Sequence, residues 1–119
     1  MKKHRSQIQK TLLKTIKIAL PNYRVLEEYY IGEGLYLDVF LPDFSCGIEL
    51  HGSQHYEFSP FYHTDASGWS DQQRRDSRKL EICAREEITF IVIKYDDPID
   101  DVDWVRDKIL EEVVNDYRV

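Results

Sequence analysis

No apolar run in the chain approaches the ~20 residues that a bilayer crossing needs, and the lysine-rich start is followed by neither an apolar signal core nor a small-residue cleavage site. A membrane partner is therefore not expected, and a cytoplasmic location is. Cysteine is scarce: Cys46 and Cys83 stand alone, without the short-range partners that a disulfide framework or a Cys-x-x-Cys zinc site requires, and read as reduced core thiols. Glycine is scarce too. Gly32-Glu33-Gly34 lacks the third glycine of a dinucleotide fingerprint and falls between strands instead of opening a helix, and no nucleophile elbow is present, so small-molecule acid-base enzymes rank low. Acids are missing altogether from residues 1 to 25, which hold Lys2, Lys3, Arg5, Lys10, Lys14, Lys17 and Arg24.

What is present suits a single domain spanning 1–119, since 119 residues, 42% of them hydrophobic and 13% aromatic, can close one core unaided. The net charge of −6 speaks against a general binder of phosphate, but its distribution does not. The basic start contrasts with residues 95 to 119, where nine acids face Arg106, Lys108 and Arg118. Either one face is made for polyanions or the two terminal helices pair by charge.

Ile8, Leu12, Leu13, Ile16 and Leu20 recur at helical spacing after Ser6 and before Pro21, with lysines opposite. Tyr23 to Ile31 and Leu35 to Leu41 read as an antiparallel hairpin turning at Gly32-Glu33-Gly34, and Cys46 to His51 as a third strand. Residues 53 to 70 have no period; their aromatics Tyr56, Phe58, Phe61, Tyr62 and Trp69 suit core or lid packing in an ordered excursion. A helix is predicted over Asp71 to Glu86 with Leu80, Cys83 and Ala84 on one side, then a strand buried on both faces over Ile88 to Tyr95, then a helix from Val102. The order is α-β-β-β-α-β-α.

Alternation places Leu35, Leu37, Val39 and Leu41 on one face of their strand and Asp38 on the other, and puts Glu49 and His51 together on the next strand, ~7 Å apart. If the two strands are neighbours, a hairpin brings Asp38 and Glu49 together. Two close carboxylates repel unless a cation neutralises them, and a hard divalent ion with oxygen ligands, magnesium first and manganese second, is suited to the task. Asp38 could also be a solvated edge-strand acid. Glu49 lies between Ile48 and Leu50, where an unpaired carboxylate is costly, so a metal or cationic partner is expected. Zinc on His51 and His55 is disfavoured by Gly52 and the strand context. Arg74, Arg75, Arg78 and Lys79 form either a solvated helix face or a phosphate clamp.

Three stretches, Leu37-Asp38-Val39-Phe40-Leu41-Pro42, Gly47-Ile48-Glu49-Leu50-His51-Gly52-Ser53-Gln54-His55-Tyr56 and Arg75-Asp76-Ser77-Arg78-Lys79, followed by Ile88 to Tyr95, together resemble the PD-(D/E)XK, restriction-endonuclease-like nucleases. The closest branch is that of the very short patch repair endonuclease and its phage and homing-endonuclease relatives. The resemblance covers roughly residues 6 to 95. It implies an α/β fold with a restriction-endonuclease-like core, a central mixed sheet flanked by helices, and a magnesium-dependent endodeoxyribonuclease acting on DNA. Asp38 and Glu49 match the metal-binding positions. His51 stands where the superfamily has a lysine, and is the expected base or water-orienting group, with Gln54 and His55 as contacts nearby. Lys79 is a candidate displaced lysine for phosphate contact or transition-state charge, and Arg75, Lys10 and Lys14 are candidates for gripping the nucleic-acid backbone. Some relatives carry a metal-binding glutamate on the first helix; here Gln7 or Gln9 takes that position. A catalytically inactive module that binds nucleic acid or a protein partner is the alternative. Two-strand cutting by so small a domain calls for a homodimer or a separate specificity subunit. For a phage-encoded protein, the location is the host cytoplasm.

Overall fold

The computed structural model describes residues 7–52 and 66–117. Its elements run α1 (Gln7–Ala19), β1 (Leu26–Gly32), β2 (Leu35–Leu41), a single 3-10 turn (Pro42–Phe44), β3 (Cys46–His51), α2 (Ala66–Arg85), β4 (Thr89–Lys94) and α3 (Val102–Tyr117). The chain is thus α/β in the order that its periodicities predict. Bounds for β2 and β3 coincide with expectation, while α2 begins five residues earlier than Asp71. The expected aromatic excursion lies mostly outside the described residues.

One sheet of order β1-β2-β3-β4 organises the molecule. The first three strands are antiparallel neighbours and β4 lies parallel to β3, from Cys46 opposite Thr89 to His51 opposite Lys94. A parallel neighbour needs a long connection, and α2 supplies it. Leu12, Leu13 and Ile16 of α1 and Val105, Ile109 and Val113 of α3 pack with Val39, Leu41, Cys46, Ile48, Ile91 and Ile93 on one face of the sheet. Leu37, Phe40 and Cys83 form a smaller core on the other face, under α2. Three layers result: two helices, a sheet, one helix.

Several expectations need correction. Among the described residues β4 ends the sheet, and it is not buried on both faces: Thr89, Ile91 and Ile93 are buried while Phe90 and Val92 are half-buried. On α2 the inward positions are Ile82 and Cys83; Leu80 and Ala84 are exposed. The contact between α1 and α3 is apolar. Among the described residues no ion pair joins them, since Arg106 binds Asp103 and Asp107, and Lys108 binds Glu112, all within α3.

The strict alternation expected of β2 also fails, at one point. Leu37 packs with Phe40 beneath α2, whereas Val39 and Leu41 face α1 and α3. The strand therefore changes face between Leu37 and Val39, with Asp38 at the change. Its pairing with β3 stops there as well, running only from Leu41↔Cys46 to Val39↔Ile48. Gly47 makes room for this. A Cβ at residue 47 would lie 2.5 Å from Leu37 Cδ1 and 3.4 Å from Ile88 Cγ2. Leu37 is fully buried and has nowhere to retreat. Gly47→Ala should accordingly lower stability by about 1–3 kcal/mol in urea unfolding; an unchanged midpoint would show that Leu37 can move aside.

Candidate metal centre

Where the β2–β3 ladder ends, side chains take over its hydrogen bonds. The amide of Asp38 donates to Glu49 Oε2 at 2.8 Å, and the amide of Leu50 donates to Asp38 Oδ2 at 2.8 Å. Each carboxylate thus caps a backbone donor on the opposite strand, which satisfies peptide groups that the opening would otherwise leave orphaned. The convergence expected of Asp38 and Glu49 is present, in the plane of the sheet and at the point where the strands part.

Glu49 faces α2 and is only 2% exposed. Lys79 Nζ donates to its Oε1 at 2.5 Å, with the lysine side chain itself largely covered. A carboxylate so deeply placed requires a cationic partner, and α2 provides one. Burial nevertheless dominates. Desolvation, then the charge of Asp38, push the Glu49 carboxyl up to about 7, against the opposing pull of Lys79. Cys83, one helical turn beyond Lys79, is buried and its thiol is raised to about 11 by desolvation and then by Glu49, which makes it a poor nucleophile.

The first helix reaches the site through Gln9. This buried amide donates to Glu28 Oε1 at 3.3 Å and, at the 3.5 Å limit, to the carbonyl of Asp38. Glu28 lies in β1 between Glu27, paired with Val39, and Tyr29, paired with Leu37, and so stands opposite Asp38. Its φ of 50° is left-handed, a conformation costing a non-glycine residue roughly 1–2 kcal/mol. Sequence reasoning places a glutamine at this end of α1 but overlooks Glu28. The available signal was an acid pair inside an otherwise aromatic strand.

His51 ends β3 two residues beyond Glu49, on the same face by alternation, and its carbonyl accepts the amide of Tyr95 at 2.8 Å. Gln54 and His55 lie outside the described residues. The basic cluster of α2 divides by partner: Arg74 binds Asp71; Arg78 binds both oxygens of Glu33 at 2.5 and 2.8 Å and reaches Glu81; Lys79 holds Glu49. Arg75 alone meets no carboxylate among the described residues, bonding only Gln72 at 3.4 Å. Arg74 and Arg78 thus each meet a carboxylate at the surface. Lys10 and Lys14 are exposed on α1 without an ion partner among the described residues.

Two viral proteins are similar to part of the chain. Uncharacterized protein 033L of Invertebrate iridescent virus 3 is 30% identical over 90 residues, covering 74% of this chain and 46% of its own length. Uncharacterized protein 307L of Invertebrate iridescent virus 6 is 34% identical over 61 residues, covering 51% of this chain and 31% of its own length. The chain spans less than half the length of either relative. No protein-family profile and no solved structure matches it.

The donor set suits a hard cation. All the carboxylate donors are oxygens, and Asp38 Oδ1 has no hydrogen-bond partner among the described residues. No group of three or more ligating side chains is assembled among those residues. Magnesium does not demand one, because it is commonly held by one or two carboxylates with water and phosphate oxygens completing its shell.

The raised Glu49 carboxyl has a sign that can be checked. Between its ordinary value of 4.5 and about 7, the folded chain binds the Glu49 proton and the unfolded chain does not, so stability falls as pH rises through that window. Thermal unfolding across pH 4.5–8 should show this slope in the parent and lose it in Lys79→Met/Glu49→Gln. Lys79→Met alone should cost about 3–5 kcal/mol at pH 8, where it strands a buried charge, and much less at pH 5. A loss independent of pH would remove the electrostatic explanation.

Proposed function

We propose that this protein is a magnesium-dependent nuclease that hydrolyses DNA phosphodiester bonds with a restriction-endonuclease-like core. The observation that carries this reading is the opening of the sheet at Asp38 and Glu49, where two acids from adjacent strands converge beside Lys79. The α-β-β-β-α-β order, with the acids on β2 and β3, agrees with the resemblance drawn from the motifs. Neither viral relative carries a name that describes an activity, so the argument rests on the site.

Asp38 and Glu49 would hold the cation, which when bound polarises a phosphoryl oxygen and makes a coordinated water more acidic. Lys79 then has a second use. In the structure it supplies the positive charge that Glu49 demands; with the carboxylates bound to a divalent ion, its ammonium is available to a phosphate oxygen from the same place on α2. In this reading it serves in place of the missing Glu-x-Lys lysine. The His51 imidazole, on the same strand face as Glu49, is suited to orient the attacking water or accept its proton. Gln9 steadies the peptide of Asp38, and so the direction of its carboxylate, from α1. Lys10, Lys14 and Arg75 contribute sequence-independent attraction to the backbone.

Purified protein with magnesium should nick or linearise a plasmid, and Asp38→Asn or Glu49→Gln should reduce the rate by 100-fold or more. Lys79→Met should bind magnesium at least as tightly in calorimetric titration, having lost a competitor for Glu49, yet cleave more slowly. Cleavage by the Glu49→Gln protein at the parent rate would overturn the assignment. Magnesium-independent binding of DNA without cleavage would favour the inactive module instead.

A further inference from the structure

Within the apolar run from Ile88 to Tyr95 one side chain is charged, that of Lys94. The parallel ladder fixes its position, with Glu49 level with Val92 and His51 level with Lys94. Leu50 packs against the core of Ile91 and Ile93 on the side of the sheet that α1 and α3 cover, while Phe90 packs under α2. Alternation therefore turns Lys94 to the α2 side, where Glu49 meets Lys79. Lys94 is exposed. It stands one strand spacing, ~4.8 Å, from His51 and two residues, ~7 Å, along the sheet from the level of Glu49.

The helix above is aligned with this row. Cys83 of α2 packs with Phe40, the partner of Gly47, while Lys79, one turn earlier, meets Glu49. α2 thus runs opposite to β3, and a further turn back brings Arg75 and Asp76 level with His51. Arg75 is exposed, whereas Asp76 is half-buried and accepts the Gln72 amide at 3.3 Å. Two acids lie just beyond Lys94. Asp97 Oδ2 accepts the Lys94 amide at 2.8 Å; since the next amide, that of Tyr95, points to the His51 carbonyl, Asp97 is on the side of β4 away from β3, and Asp96 is exposed. The carboxyl ends of β3 and β4 therefore present an imidazole flanked by an ammonium and a guanidinium, one step beyond the acid pair. Ligands of open α/β sheets bind outside the carboxyl ends of their parallel strands. An anionic chain whose charges repeat at about the interval from Glu49 to Lys94, as the phosphates of a nucleic-acid strand do, can set one phosphate at the acid pair and the next on Lys94.

We propose that Lys94 binds the phosphate next to the one that is cleaved, so that the substrate strand crosses the carboxyl ends of β3 and β4 on the α2 side of the sheet. This adds a binding residue to the proposed nuclease and rests on that reading for the reaction. The phosphate contact itself can be measured without cleavage.

With EDTA present to prevent cleavage, the affinity for a labelled DNA duplex is to be followed by fluorescence anisotropy between about 50 and 200 mM KCl. Lys94→Gln should flatten the plot of log affinity against log salt by about 0.9, the loss of one phosphate contact, and Lys94→Arg should restore the parent slope. Lys108→Gln, which removes a lysine paired with Glu112 on α3, should leave the slope unchanged. In magnesium, Lys94→Gln should raise KM about fivefold and keep kcat within about twofold, because a phosphate away from the reacting one is held equally in ground and transition states. An unaltered slope in Lys94→Gln with its fold intact by circular dichroism, an equal loss in Lys108→Gln, no recovery in Lys94→Arg, or a kcat that falls while KM stays constant would overturn the proposal. Absence of magnesium-dependent cleavage with the slopes as expected would overturn the nuclease reading and leave the phosphate contact standing.

Discussion

Two peptide hydrogen bonds are absent between β2 and β3, and two carboxylates stand in their place. This exchange shapes the middle of the molecule. A regular ladder beyond Val39↔Ile48 would keep Asp38 and Glu49 on strands fully occupied with each other, their side chains directed out of the sheet. By capping the amides of Asp38 and Leu50, the carboxylates let the strands part without orphaned donors, and the gap lies at their own oxygens. The same opening turns Leu37 toward α2, and Gly47 is the residue whose missing side chain leaves space for it.

The charge inventory follows. Desolvating Glu49 is unfavourable enough to outweigh a lysine in direct contact, so the buried acid remains poised near neutrality. A site built only for stability would be better served by apolar residues here, since buried ion pairs seldom outperform well-packed hydrocarbon. The arrangement makes sense if the charges are needed for themselves. The left-handed backbone at Glu28 supports the same view, because strain retained in the middle of a strand gathers where groups must be held in particular places.

Much of this could be read from the amino-acid order. The helix and strand sequence followed from spacing, and Cys46 to His51 was bounded correctly because Pro42-Asp43 and Gly52 punctuate it. Asp38 and Glu49 stood out because charged residues inside apolar runs demand a reason. What could not be read was anything that depends on pairing across the chain. Strict alternation failed at Leu37 because the ladder opens, and that opening is a property of two strands together. The main partner of Arg78 was hidden for the same reason, since Glu33 lies 45 positions away in a turn. Leu80 is predicted inward because helical period gives the spacing of a buried face but not its phase, which is set by Cys83 packing with Leu37 and Phe40.

Glu28 marks the deeper difficulty. The resemblance directed attention to α1 for a third acid, where only glutamines stand, and the acid nearest that position comes instead from β1 across a hydrogen bond to Gln9. Neutral Gln9 is the better neighbour for Glu28, because a second carboxylate there would add repulsion beside an acid pair already short of positive charge. An amide can also donate to both Glu28 and the Asp38 carbonyl, which no carboxylate could do. The absence of acid from the first helix and the presence of one on the facing strand are thus two aspects of one electrostatic constraint, set by how little positive charge lies where β2 and β3 part.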